Sequence, residues 1–482
     1  MTANEPHSGT DSHSPAFGQR RRLGLLLGLV WSTVFVCEWR IAVTVFRTCE
    51  RKDQMGKDAI ARRAFLLHSA GGAAMVASSG LALGAESASP APVAGETASR
   101  IGMEADVLVI GGGTAGTIAA IQAARAGVQT VLIERGSQLG GTTTVGGVAF
   151  PGLFHAWGKQ IIAGIGWELV RETVALDDGT LPDFTKPTSR HWEHQVHVNP
   201  FLYALLAEEK CLKAGVTVVY YEFPHSVEPT GGGWRVETVG PGVRREIICR
   251  QLIDCTGGAD IVGMLKMPRL REAETQPGSM LFKCGAAYRP GREQLQSVYV
   301  HGADSSTSAT RTEANLAGRR TVLRQLRAKR TQGQNPARLI QVQPEAAVRE
   351  SYRIRGETVI THEDYVSGRV FEDAVCYAFY PVDLHTRKGV SPKPLAQGVV
   401  PTVPLRALVP KNSRNILAAG RSVSSDRLAN SGLRVQAPCM AMGQAAGAAA
   451  ALAAQQKRTP LEVPSEDLRR LLGRHGAIVP GA

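Results

Sequence analysis

From Ala105 to Ile110 apolar side chains follow one another with one polar interruption, the pattern of a β-strand buried on both faces. The run closes on Gly111-Gly112-Gly113-Thr114-Ala115-Gly116. Thr117 to Ala126 then reads as a helix, Gly127 stops it, and Val128 to Ile133 supplies a second apolar strand that finishes at Glu134. Two later apolar runs also close on glycine: Arg250 to Asp254 before Cys255-Thr256-Gly257-Gly258, and Asn415 to Ala419 before Gly420-Arg421. Gly231-Gly232-Gly233 before Trp234 reads as a hairpin turn. Arg434 to Gln455, rich in small residues after Pro438, predicts a helix that packs tightly on the sheet.

Strand, glycine turn, helix and second strand in this register make a dinucleotide site. Gly111 permits the tight turn, Gly113 lets the backbone approach a pyrophosphate, and Gly116 lets helix and strand pack closely. The helix N-terminus then faces the phosphates, and Thr114 and Ala115 of the glycine run are cofactor-binding candidates with it. Glu134, 18 positions past the last glycine, is placed to accept hydrogen bonds from ribose hydroxyls. FAD is favoured over NAD by Gly140-Gly141-Thr142, placed for an extended diphosphate and ribityl chain, and by the Thr256-Gly257 and Gly420-Arg421 turns, which resemble the later FAD-contact segments of two-dinucleotide-fold flavoproteins. No second complete glycine fingerprint follows a strand, so no NAD(P)H domain is visible.

Charge and cysteine content narrow the partners. Lys and Arg exceed Asp and Glu by 55 − 42 = 13, but the excess is spread along the chain without a basic block interleaved with aromatics. Nucleic acid is therefore not an expected partner, while an anionic small-molecule substrate stays open. The eight cysteines include no Cys-x-x-Cys pair, so a zinc ribbon or ferredoxin-like cluster lacks its local scaffold. His191, His194 and His197 stand at i, i+3 and i+6, which can line one helix face. They lack an acidic partner of metal-site pattern, and no metal site is expected.

The first hundred residues read as an address. Arg62-Arg63 before Phe65, Leu66 and a mildly apolar, small-residue stretch resembles a twin-arginine export signal over 55–88, implying a periplasmic or secreted protein. Residues 1–54 are expected to be an extension from an upstream start codon, Met55 standing just before the signal, or a segment anchored to the membrane through apolar residues 23–37. Residues 89–102 read as a flexible linker.

The runs ADVLVIGGGTAG, LIDCTGGAD, AVRESYRIRGE, FEDAVCYAFYPVDLH, VPLRALVP and NILAAGRSVSSDRLANSGLRVQAPCMAMGQAAG, between Ala105 and Gly447, resemble the FAD-dependent oxidoreductases related to the flavoprotein A subunit of heterodisulfide reductase and, more distantly, fumarate reductase flavoproteins. The resemblance implies an α/β fold: a Rossmann-like FAD-binding domain (103–150, 200–265 and 405–460) with an inserted α+β substrate or cap domain (151–199 and 266–404). It implies FAD held at Gly111, Gly113, Gly116, Glu134, Arg135, Gly141 and Thr142, with Gly420, Arg421 and Gly443-Gln444-Ala445 closing over the flavin. A 4Fe-4S cluster comes with the family association alone, without support from cysteine spacing.

Substrate chemistry is expected in the insertions. Hydride exchange with a flavin needs a proton carrier and, for an acidic substrate, cations. Asp383 and His385 share one face of an extended strand. Arg349, Arg353, Arg406 and Arg434 lie in the resembling segments. The reading is His385 as proton carrier beside Asp383, with Arg434 or Arg406 as anion clamp, acting on a small substrate with an unidentified electron acceptor. An electron-transfer subunit serving a protein partner and a non-catalytic flavin-binding protein remain the alternatives.

Overall fold

A computed structural model of the chain describes residues 99–186, 190–285, 294–331 and 338–481. The expected extension, the export signal and all but the last four residues of the expected linker lie outside them. Strand β1 (Ser99–Ile110) leads through the glycines into helix α1 (Thr114–Arg125) and strand β2 (Thr130–Glu134). Helix α2 (Pro200–Lys213) returns the chain to β3 (Thr217–Tyr220), followed by β4 (Phe223–Pro229), β5 (Trp234–Gly240) and β6 (Val243–Asp254).

These strands form one sheet in the order β3-β2-β1-β6-β5-β4. β3, β2, β1 and β6 are parallel, and β4 and β5 form an antiparallel ribbon on β6. The ribbon's turn carries the three glycines expected there.

Alternate side chains of the parallel strands serve two cores. Val107, Val109, Leu132 and Ile253 face the helices, whereas Leu108, Ile110, Val131, Ile133 and Leu252 share a second core with Trp234 and Val236 of the ribbon and Ile247 of β6. Burial on both faces is why the runs are unbroken.

β1 and β6 extend further than their apolar cores. Ser99–Gly102, expected as linker, pair with Val243–Glu246. Apart from the half-buried Val243 their side chains are polar or exposed, so backbone pairing, invisible to an apolar pattern, makes them strand.

The inserted unit is a three-stranded antiparallel sheet with β7 (Gly278–Gly285) between β8 (Gln294–Val300) and a later strand. Helix α3 (Ser308–Thr331) covers one face, where Met280, Phe282, Val298 and Val300 meet Ala314 and Val322. That later strand is β9 (Arg338–Val342). Ser279, Leu281 and Ser297, at alternate positions, point instead into the cleft between the two units.

β10 (Ile416–Ala418) returns to the main sheet, parallel to the last residues of β6. Helix α4 (Gln436–Gln456) then packs on α1. It is long and apolar enough to cross a membrane, but here it is buried inside the protein.

Candidate active site

Pairings Ile110↔Ile133, Ile110↔Asp254 and Ala418↔Asp254 bring the carboxyl ends of β1, β2, β6 and β10 to one edge of the sheet. Ligands of open α/β sheets bind at this edge. A cleft of about 760 Å³ starts there.

At this end Gly111 has φ 99°, and a Cβ on it would lie 2.6 Å from Cys255 O, so the turn admits only glycine. The Gly113 cap of α1 carries no side-chain hydrogen bond, which leaves the first-turn amides of Thr114 and Ala115 for a ligand. A Cβ on Gly113 would meet nothing within 4 Å. Gly140 bridges to Gly113, and its amide donates to Gly112 O at 2.9 Å. That bridge holds Gly141 and Thr142 on the cleft wall. Glu134 accepts from the amides of Gly112 and Gly136, each at 2.7 Å. Arg135 pairs with Glu345 at 3.0 Å.

Asp254, fully buried, organises the turn after β6. It accepts from Thr256 Oγ1 at 2.7 Å and from the amide of Val262 at 3.1 Å. Burial pushes its carboxyl above the ordinary range, against the pull of these donors. The Thr256 hydroxyl is thus committed to the turn, and Gly257 accepts from Arg421 Nε at 2.6 Å. Gly111, Gly113, Thr114, Ala115, Glu134, Arg135, Gly141, Thr142, Thr256, Gly257, Gly420 and Arg421 all line the cleft.

Gly116, Gly443, Gln444 and Ala445 do not. A Cβ on Gly116 would stand 1.8 Å from Gly111 O, and one on Gly443 would stand 2.2 Å from Ala115 O. These glycines let backbones meet. Gln444 binds the Ile165 amide at 3.0 Å and Gln122 at 3.1 Å, and Ala445 is core. From α4 it is Gln436 and Cys439, in the first turn, that reach the cleft.

At the other end stand Asp383, His385, Arg349, Arg434 and Tyr380. His385 Nε2 lies 3.0 Å from Asp383 Oδ2, and Tyr299 Oη lies 2.9 Å from His385 Nδ1. Burial lowers the His385 pKa below its usual 6.5 despite the Asp383 hydrogen bond, so the ring is neutral near pH 7. Burial alone would raise Asp383, but the His385 hydrogen bond and the charges of Arg434 and Arg349 together leave it below the ordinary value. A carboxylate beside a neutral imidazole sets the tautomer: Nε2–H donates to Asp383, and Nδ1 accepts from the Tyr299 hydroxyl.

Arg434 Nη2 donates to Asp383 O at 3.0 Å and lies 3.4 Å from its Oδ2. Arg349 Nη1 donates to Pro277 O at 2.7 Å and Ser279 Oγ at 3.0 Å. Burial, with the nearby Arg434 charge, lowers Arg349 to about 10. Two guanidiniums thus face one carboxylate. Arg434 Nε and Gln276 Nε2 are buried donors with no acceptor among the described residues. Tyr380, raised to about 12 chiefly by burial, stays a phenol and accepts from Gln195 at 2.8 Å.

Arg406 is not brought to the cleft. It pairs with Asp373 at 3.2 Å on the surface. Arg406→Ala is expected to shift stability by less than about 1 kcal/mol, with full flavin retention, as read by a thermal melt and flavin absorbance. Arg353 is buried between Glu272 and Glu350. The histidine series does not share a helix face: His191 and His194 sit in one 3₁₀ turn, and His197 follows in extended chain after Gln195 leaves it at ψ 130°. Among the described residues no group of three or more His, Cys, Asp or Glu side chains could hold a metal ion.

A family model described as FAD dependent oxidoreductase matches residues 106–285 and 279–472. The chain belongs to this family. It is an FAD-dependent oxidoreductase with FAD as cofactor. Pseudooxynicotine dehydrogenase of a Pseudomonas species is 37% identical to it over 98 residues, 19% of each chain, so the match spans about a fifth of that relative. Among solved structures, the anhydrotetracycline hydroxylase OxyS of Streptomyces rimosus is similar over 78% of this chain and 66% of its own, at 14% identity and TM-score 0.42. A flavoprotein/dehydrogenase of Cytophaga hutchinsonii is similar over 77% and 82%, at 14% identity and TM-score 0.40.

The residues fit FAD. The uncapped α1 terminus and the open Gly113 would hold its diphosphate, Glu134 its ribose, and the first turn of α4 its ring system. Bound FAD supplies reversible two-electron redox chemistry; substrate binding and proton handling fall to the chain.

The substrate-end residues outside the sequence candidates, Tyr299, Tyr380 and Gln276, belong to no glycine motif. The i, i+2 spacing of Asp383 and His385 is the local signal for this end of the cleft.

Proposed function

We propose that this FAD-dependent oxidoreductase exchanges a hydride between FAD and a small organic anion. The observation that carries the reading is the pair Arg349 and Arg434, set beside His385 and Asp383 in the cleft that the glycine turn opens. Two guanidiniums against one carboxylate leave a positive surplus for a substrate carboxylate. Asp383 keeps the His385 ring oriented, and the substrate proton passes through Tyr299, whose hydroxyl takes it as it gives its own proton to the lone pair on Nδ1, and returns by the same route. Tyr380, held protonated, donates to the bound anion.

We further propose export of the folded, flavin-loaded protein to the periplasm or beyond, supported by Arg62-Arg63 and the small-residue stretch after them, and kinship with the heterodisulfide reductase flavoprotein A subunit, supported by the quoted runs. A membrane enters only if residues 23–37 persist as an anchor, and nucleic acid has no part. N-terminal sequencing of the native protein tests the address, and a mature terminus before Met55 overturns the start-codon reading.

The reaction is tested by photoreducing the purified yellow protein without oxygen and adding small carboxylates and their oxidised counterparts. Reoxidation, or flavin bleaching in the reverse direction, by one of them is the expected result. Reoxidation by a protein partner alone favours the electron-transfer subunit, and none at all favours a non-catalytic protein. Iron at one cluster per chain would overturn flavin as the redox centre acting alone.

With that substrate the rate should hold as pH falls to 6.5 and decline only below it, because burial lowers His385 and protonation removes the accepting lone pair. Asp383→Asn removes a group that raises His385. The acid limb should move to still lower pH while the plateau falls about 10- to 100-fold. A limb that stays put removes Asp383 from the proton path.

A further inference from the structure

Helix α3 belongs to the inserted unit, yet its first turns reach the glycine end of the cleft. Arg311 lines it there with Arg421, which follows β10 of the main sheet. Both guanidiniums are fastened to Ser305: Arg311 Nε donates to Ser305 O at 3.0 Å, and Arg421 Nη2 to Ser305 Oγ at 2.8 Å. Arg421 also donates to Gly257 O and, through Nη1, to Val348 O. All these acceptors are neutral.

The nearby carboxylates are mostly engaged elsewhere. Glu345 holds Arg135, and Glu134 is taken by two backbone amides. Asp260 is the carboxylate that faces both arginines, and burial together with Asp254 raises it to about 6. Burial and then the neighbouring Arg311 charge bring Arg421 down to about 10, and burial with Arg135 lowers Arg311. Two like charges held together at a half-buried site, without an ion pair among the described residues, are costly unless an anion joins them. They stand beside the turns of Gly111 and Gly257, which the cofactor must follow.

We propose that Arg311 and Arg421 form a two-arginine site for the diphosphate of FAD, one arginine from the inserted unit and one from the dinucleotide fold. The fingerprint amides then hold the diphosphate from one side and the arginine pair from the other. The inserted unit becomes part of the cofactor site as well as the substrate site. The inference rests on the cofactor and is independent of the substrate reading.

The test measures FAD affinity by flavin fluorescence on dilution of the yellow holoprotein, then binding of ADP and of adenosine to the same protein after flavin release. ADP carries a diphosphate, and adenosine does not. Arg311→Gln should weaken FAD and ADP about tenfold or more while leaving adenosine within about twofold. Arg311→Lys, which keeps the charge, should recover FAD affinity to within about threefold of the parent. Equal loss of ADP and adenosine, no loss of either, or a lysine variant as weak as the glutamine one overturns the proposal. Should the glutamine variant fail to fold, the lysine variant decides through its FAD affinity and the ADP-to-adenosine ratio.

Discussion

Gly113→Ala is expected to purify as a folded protein that has lost its yellow colour, whereas Gly116→Ala is expected not to fold stably at all. The two glycines are three residues apart in one turn and differ in what a methyl group would meet. At Gly116 it would stand 1.8 Å from Gly111 O and 2.9 Å from Cys255 Cβ, so β1, α1 and the turn after β6 would all have to move. A clash of that depth against backbone belongs with the largest single-substitution losses, about 4 kcal/mol or more. At Gly113 the backbone has φ −71°, which any residue adopts, and a methyl meets nothing within 4 Å. Apoprotein stability should therefore stay within about 0.5 kcal/mol of the parent. The methyl would project into the space where the cofactor's diphosphate comes close to the backbone, and FAD affinity should fall at least about tenfold, or ~1.4 kcal/mol. Thermal melting without flavin and a flavin titration separate the two effects. A Gly113→Ala protein that keeps stoichiometric FAD with unchanged affinity would remove this turn from the cofactor site.

Arg434→Leu is expected to lower turnover by about 100-fold or more while flavin content stays full. Arg434 lines the cleft beside Asp383, where its Nη2 braces Asp383 and its buried Nε lacks an acceptor among the described residues. The loss of a charged donor to an anionic substrate is worth about 3 kcal/mol in such a site. One effect adds to it: Asp383 loses a charge that holds its carboxyl down. Arg349, freed of the like charge that lowers it, stays cationic and does not add to the loss. Arg434→Lys should recover only part of the rate, because an ammonium is a point charge and cannot brace Asp383 and grip a substrate in one plane. The comparison is kcat/KM with the anion found by reoxidation, beside the flavin spectrum. An unchanged kcat/KM in the leucine variant would move the anion site elsewhere.

The dinucleotide half was legible because its signals are local. A strand buried on both faces is an apolar run, and a backbone that must turn at φ 99° or touch another backbone is a glycine. Asp383 and His385 were legible through the two-residue period of an extended chain. Tyr299, Gln276 and Arg311 were not, because each is brought in by a pairing far along the chain: Tyr299 by β8 on β7, and Arg311 by α3 across the inserted sheet. Gly443-Gln444-Ala445 carried a cofactor role through the family resemblance alone, and here Gly443 serves the close approach of another helix. Arg406 matched Arg434 in type and neighbourhood, and only the position of Asp373 separates a surface pair from a cleft-lining cation.

Gly443 and Gly447 rest against the carbonyls of Ala115 and Ala119, so the helix that opens the cofactor site is clamped by one made more than three hundred residues later. During synthesis the glycine turn leaves the ribosome early and waits, its strand unpaired with β6 and its helix bare on one side. The pocket matures only when α4 arrives. A chain that ends at residue 435 is therefore expected to keep every glycine of the turn and to lose its durable grip on flavin.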